Sequence, residues 1–303
     1  MSSDYLIGFA SLTLREAKAP PRDARFEALP QRSEKQLIAD VRRVPLEIVY
    51  AREFERRDSI AILGDRQESV DDREPALFEL CDAQDERLAK IIAERLDDPL
   101  EDHHFKAVCV VASERLHVRG DTDRRLLRAA LGRYWLRALP SDGPIVWAAI
   151  RRFGSLLDDG QALGLAYALR ASNPTGVQQV AIQSLTAFFT RPDLAEQNTE
   201  GLTVLLSLVA RNALRRTREL TGEVRAEWLA LGCSVVVLFA AMGVEAGEPI
   251  AREIAALVGP VVRRQVHEDL ERVAAAHRLH LALSAHARVA LAGAEALERV
   301  FEA

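Results

Sequence analysis

The chain has 303 residues, 49% of them apolar and 28% charged, with a net charge of −5. This is the balance of a folded soluble protein long enough to bury a large core as one helical array or two compact domains, and its acidity argues against a general nucleic-acid binder. Three cysteines, Cys81, Cys109 and Cys233, are odd in number and lack CxxC or Cys/His spacing, which fits a reducing compartment better than a disulfide framework.

The first residues, Met1 to Tyr5, carry no basic stretch or cleavage pattern, so a cytoplasmic location is expected. Residues 1–73 read as an irregular arm: Pro20, Pro21, Pro30 and Pro45 interrupt them and charges of both signs are dense. Within the arm a short helix is predicted over Ser33–Arg43, where Leu37, Ile38 and Val41 form a stripe behind a Ser33 cap. Leu46–Ala51 and Ile60–Leu63 fit short strands or an irregular helix edge equally well.

From residue 74 to 303 the pattern turns regular, with a helix-sized segment opening about every twenty residues. A helix is predicted near Asp82–Leu96. Asp98, Pro99 and Glu101 then read as a capping box opening a helix that runs to Val118 and stops at Gly120. The next begins at Asp121 or Thr122 and ends before Pro140. A restart at Ser141–Pro144 leads through Trp147 and Phe153, and a short helix covers Gln161–Ala171. Further helices are expected at Gly176–Thr190, Glu200–Arg218, Glu223–Met242, Pro249–Leu257, Val261–His280 and Ala285–Phe301. The uncharged run from Trp228 to Val244 would span only about 25 Å as a helix, and Glu227 and Glu245 flank it. It therefore reads as a helix buried by its neighbours, and no membrane is expected as a partner.

Two successive helices occupy roughly 38–45 residues, the length of one HEAT or armadillo unit. Residues 80–303 resemble that architecture, although no residue-level signature accompanies the rhythm. The resemblance implies an all-α fold of stacked antiparallel helix pairs, an architecture that presents extended surfaces.

Candidate chemistry is sparse. Asp97, Asp98, Glu101, Asp102, His103 and His104 crowd possible ligands together, but at a helix start, where capping and the helix dipole favour carboxylates. His277 and His280 can share a face, and read as ordinary partly exposed histidines rather than metal ligands. No GxSxG, GxxxxGK[ST] or GxGxxG occurs. No cofactor is expected and no catalytic residue is assigned. The clearest cluster is basic: Arg124 and Arg128 lie on one predicted helix, Arg152 on the next and Arg215 near the end of a later one, and together they could line a groove for phosphates, with Trp135 and Trp147 able to stack on bases or to fill the core. In this general sense the chain is similar to helical-repeat DNA glycosylases, which pair a basic groove with aromatics and a carboxylate. The reading favoured by the whole sequence is a non-catalytic interaction or scaffold protein of a bacterial-type cytoplasm with another protein as partner. The alternatives are a nucleic-acid-binding helical-repeat protein and a helical metal-dependent enzyme.

Overall fold

The computed structural model describes residues 59–139 and 143–302. The predicted Ser33–Arg43 helix, the Leu46–Ala51 segment and the Ser141 restart lie outside the described residues. Helices make up 74% of what is described, and no strand occurs there. The fold is all-α. Residues 59–64 are helical, which resolves the ambiguity over Ile60–Leu63.

In chain order the helices are α1 (Val70–Asp82), α2 (Leu88–Asp97), α3 (His103–Ser113), α4 (Asp121–Ala138) and α5 (Pro144–Ser155). A single 3-10 segment, Ala162–Leu165, precedes α6 (Thr175–Phe189), α7 (Glu200–Glu219) and α8 (Gly222–Met242). The short 3-10 turn Glu245–Gly247 leads into α9 (Glu248–Ala255), α10 (Pro260–His280) and α11 (Ala285–Phe301). Contacts sort them into two rows. In the first, α1 packs on α3, α3 on α5, α5 on α6, α6 on α8 and α8 on α10. In the second, α2 packs on α4, the 3-10 segment on α7, α7 on α9 and α9 on α11. The 3-10 segment, which also touches α6, is the part of this row that is not a full helix.

From α4 onward the expected ends hold to within two residues, except that the helix expected over Gln161–Ala171 is only the 3-10 segment Ala162–Leu165, where the Asn173 side chain takes the Tyr167 and Ala168 carbonyls; before α4 the expected ends fail. The helix expected near Asp82–Leu96 is α2, which starts only at Leu88, and α1 before it has no counterpart among the expected helices; Ser69 caps α1 by accepting from the Asp72 amide at 3.1 Å. Pro75 removes one backbone bond, but Ala76, Leu77, Leu80 and Cys81 are buried on the helix's inner face. The expected capping box at Asp98–Glu101 does not form. Asp98 closes α2, and the cap of α3 is Asp102, which accepts from the His104 and Phe105 amides at 2.7 and 3.2 Å. Those two bonds hold the Asp102 carboxyl below the usual carboxylate range.

Glu101 is unavailable as a cap because it is drawn into the core. It pairs with Arg73 at 2.8 Å and Arg95 at 3.5 Å, and the Arg73 guanidinium lies 4.0 Å from the Phe105 ring centroid. Two cations around one buried carboxylate tie α1, α2 and the entry to α3 together.

Helix α3 stops at Ser113, not Val118, because neighbouring side chains take its closing loop. The Gln84 amide donates to the Cys81 and Arg115 carbonyls at 2.7 and 3.0 Å, and its oxygen accepts from the His117 amide at 2.9 Å. Gln84 holds a left-handed backbone, φ 51°, to do so.

The uncharged helix of the sequence, α8, is long and apolar enough to cross a membrane by length and composition. In the fold it is the hub, packed by α6, α7, α9, α10 and α11. It ends at Gly243, φ 70°, whose turn lies against the backbone of α11. A Cβ at Gly293 would come within 2.6 Å of the Gly243 carbonyl group.

Candidate functional site

The loops that follow the first-row helices line up along one edge, and arginines from the next helix hold them there. The Arg152 guanidinium, near the end of α5, donates to the Leu116 carbonyl at 2.7 Å. Arg191, just beyond α6, donates to the Leu157 carbonyl at 2.7 Å. Arg128 of α4 donates to the Leu156 carbonyl at 3.1 Å and to Asp158 at 2.6 Å. Each guanidinium satisfies a carbonyl in the loop just beyond a helix end, where no ladder of backbone bonds reaches. Amide–side-chain bonds add to the edge: Gly160 donates to Gln197 at 2.7 Å.

Three recesses adjoin along this edge. The first, about 570 Å3, lies between Gln84, Asp85, Glu86, Ala89 and the 116–123 segment, and Asp123 adds to its acidity. The second, about 380 Å3, is cationic: Arg119, Arg124, Arg152 and Arg191 line it with Asp193. The third, about 460 Å3, has an apolar floor of Val180, Ala187 and Phe188 between α5 and α6, with Arg151 and Arg191 at its rim. The first two share Leu116–Arg119, and the last two share Ser155 and Arg191.

The cationic recess is short of compensating charge. Arg124 approaches Asp158 only to 3.8 Å and Arg191 approaches Asp193 only to 3.6 Å. Arg119 has no ion-pair partner among the described residues, and Arg152 has none within 4.0 Å. The Nε of Arg152 is buried without a hydrogen-bond partner, and burial pulls its pKa down while the nearby Glu114 carboxylate works the other way. Glu114 itself is engaged by Arg151 at 2.9 Å. The bond from Arg128 is the main cause that holds the Asp158 carboxyl below its ordinary value.

Of the four arginines singled out by the sequence, Arg124 and Arg152 meet in this recess, and Arg128 reaches the same loop but is spent on Leu156 and Asp158. Arg215 is elsewhere, on α7, bonded to Asn212 at 2.9 Å and 4.0 Å from Glu219. The residues that sequence reasoning missed are Arg119 and Arg191. Both sit in loops just outside helices, where helical periodicity is blind, and only their place at helix boundaries could have marked them. Trp135 is buried in the core, 5.9 Å edge-to-face from Phe153, and Trp147 packs against the core half-buried.

The histidines also differ from expectation. His277 is buried rather than partly exposed, and its neighbour is His286 at 5.9 Å between ring centroids, not His280. The packing of α10 on α11 brings the two rings together, and the Ala241 carbonyl of α8 lies 2.9 Å from His286 Nε2. Burial lowers His277 to about 4, with His286 adding to the effect. His103 and His104 are exposed at the start of α3. Among the described residues no three His, Cys, Asp or Glu side chains converge in a way that could hold a metal ion.

Comparison with protein-family models, with curated proteins and with solved structures finds no match for this chain.

Proposed function

We propose that this chain is a non-catalytic interaction protein, a HEAT-type stack of antiparallel helix pairs that binds another protein in a bacterial-type cytoplasm. The observation that carries the reading is the edge groove, where an acidic, a cationic and an apolar recess adjoin on one surface. A surface of mixed chemistry selects a partner by complementarity without a reacting group. The HEAT-type assignment is supported by the two-row order of the helices and by polar ties that recur between residues 34 to 36 apart, from Arg133 to Asp97, Arg152 to Leu116 and Arg191 to Leu157. Three free, buried cysteines suit a reducing compartment. The reading involves no membrane, since α8 is surrounded by five other helices.

The test is purification of the full chain from its native host, split into nuclease-treated and untreated halves, with mass spectrometry of what is retained. A stoichiometric protein partner that survives nuclease is expected. A chain that emerges alone from both halves overturns the reading.

A nucleic-acid-binding role is the second reading, favoured by one observation: the convergence of Arg119, Arg124, Arg152 and Arg191 on a single recess. It ranks second because Arg128 and Arg215 are occupied and because the neighbouring recess is acidic. Material lost with nuclease, and binding that falls steeply with salt and is weakened by changing Arg124, Arg128 and Arg152 together to Glu, would put it first.

A further inference from the structure

The cationic and apolar recesses are joined through one side chain. Arg191 lines both, its guanidinium lying 5.5 Å from the Phe188 ring centroid while Nη1 holds the Leu157 carbonyl. One side of Arg191 is thus an apolar floor and the other an excess of positive charge with few carboxylates in reach. A ligand that fills both places needs an apolar group and a carboxylate a few bonds apart.

We propose that this double recess is a docking site for a short acidic peptide segment of the partner protein, which seats an apolar side chain on Val180 and Phe188 and a carboxylate among Arg119, Arg124, Arg152 and Arg191. The assignment rests on the interaction reading above and names the chemistry of the partner. Charge complementarity selects the peptide over a polyphosphate. The arginines are densest in one recess, bounded on one side by a recess that sets Glu86 and Asp123 beside Arg119 and on the other by an apolar floor. A nucleic-acid strand presents a phosphate at every step and would meet carboxylates as soon as it left the arginines. A peptide presents one or two carboxylates and then something else. The buried, unpartnered Nε of Arg152 supplies a second observation at the same place: part of this guanidinium is desolvated without a compensating acceptor, a state that an incoming carboxylate improves by neutralising the charge nearby.

The test uses the full chain. A displayed library of random short peptides is panned against it, and the selected sequences are remeasured as labelled synthetic peptides by fluorescence polarisation. The expected hits carry Asp or Glu within about three positions of Leu, Ile, Phe or Met. Replacing that acid by its amide should weaken binding about tenfold or more. The double variant Arg119→Glu, Arg124→Glu and the floor variant Ala187→Glu should each do the same; all three positions are at least partly exposed, and circular dichroism confirms that the variants fold. Hits without an acidic requirement, or hits bound equally by both variants, overturn this site while leaving the interaction reading intact. A library that yields no binder also overturns the site, and the interaction reading falls with it only when the nuclease-treated purification is empty too. A polythymidine oligonucleotide bound by the parent chain and lost in the double variant would reassign the arginines to nucleic acid.

Discussion

His277 and His286 sit with their rings 5.9 Å apart, among α6, α8, α10 and α11, with Phe189 tilted against His286 at 5.2 Å. Among the described residues neither ring forms an ion pair, and burial lowers both, with the Ala241 carbonyl and the Glu196 carboxylate working the other way on His286. In the unfolded chain each accepts a proton near its ordinary value of 6.5, whereas His277 in the fold does so only near about 4. The stability this contributes is whole above pH 6.5 and is lost as pH falls from 6.5 toward 4, on the order of 3 kcal/mol for a shift of this size. Thermal unfolding followed across that window should show a falling Tm in the parent chain and a shallower fall in His277→Gln. Because surface carboxylates titrate in both proteins, the difference between the two curves is the quantity that decides. Parallel curves would place the pH dependence elsewhere.

At the scale of elements, the turn after α8 lies so near α11 that glycine is needed on both sides of the contact. Gly243 takes a left-handed φ that a side chain disfavours, and Gly293 leaves room for the Gly243 carbonyl. Gly293→Ala must push two backbones apart, and overpacking of this kind costs about 1–3 kcal/mol. Calorimetry should find a Tm lowered by roughly 2–4 °C per kcal/mol in a domain of this size. Gly160, also left-handed but with open space where a Cβ would point, makes a control in which only backbone strain is changed. Much of the element order was legible in the sequence, and the reason is local. The α11 span of Ala285–Phe301, the start of α4 at Asp121 and the stop of α8 at Met242 are set by caps, glycines and prolines that act within a turn. The misreadings share the opposite cause. Glu101 looks like a capping residue until Arg73, which lies 28 residues earlier, pulls it inward. Ser113 ends α3 because Gln84, in the turn after α1, and Arg152, on α5, claim the carbonyls that follow. The candidate site was half legible for the same reason: Arg124 and Arg152 stand on periodic helices, whereas Arg119 and Arg191 acquire meaning only when the rows bring their loops side by side.

For the whole molecule, the two rows give each helix a small set of neighbours except α8, which touches five. In an array of this kind cohesion is a sum over adjoining interfaces, so regions with fewer partners open first. The chain carries its own reporters of that order. Cys81 in α1, Cys109 in α3 and Cys233 in α8 are all free and buried, and desolvation pushes Cys81 up to about 11, Cys233 up to about 12 and Cys109 up as well. Folded, none of them offers a thiolate to a reagent at neutral pH, so each becomes reactive only when its own neighbourhood comes apart. Labelling with a thiol reagent under native conditions, resolved residue by residue by peptide mass spectrometry, should modify Cys81 and Cys109 together and Cys233 later. A single common rate would mean that the array opens all at once. Three small core side chains thus double as a set of chemical clocks, one pair timing the α1–α3 end of the described stack and one timing its hub, with no mutation introduced.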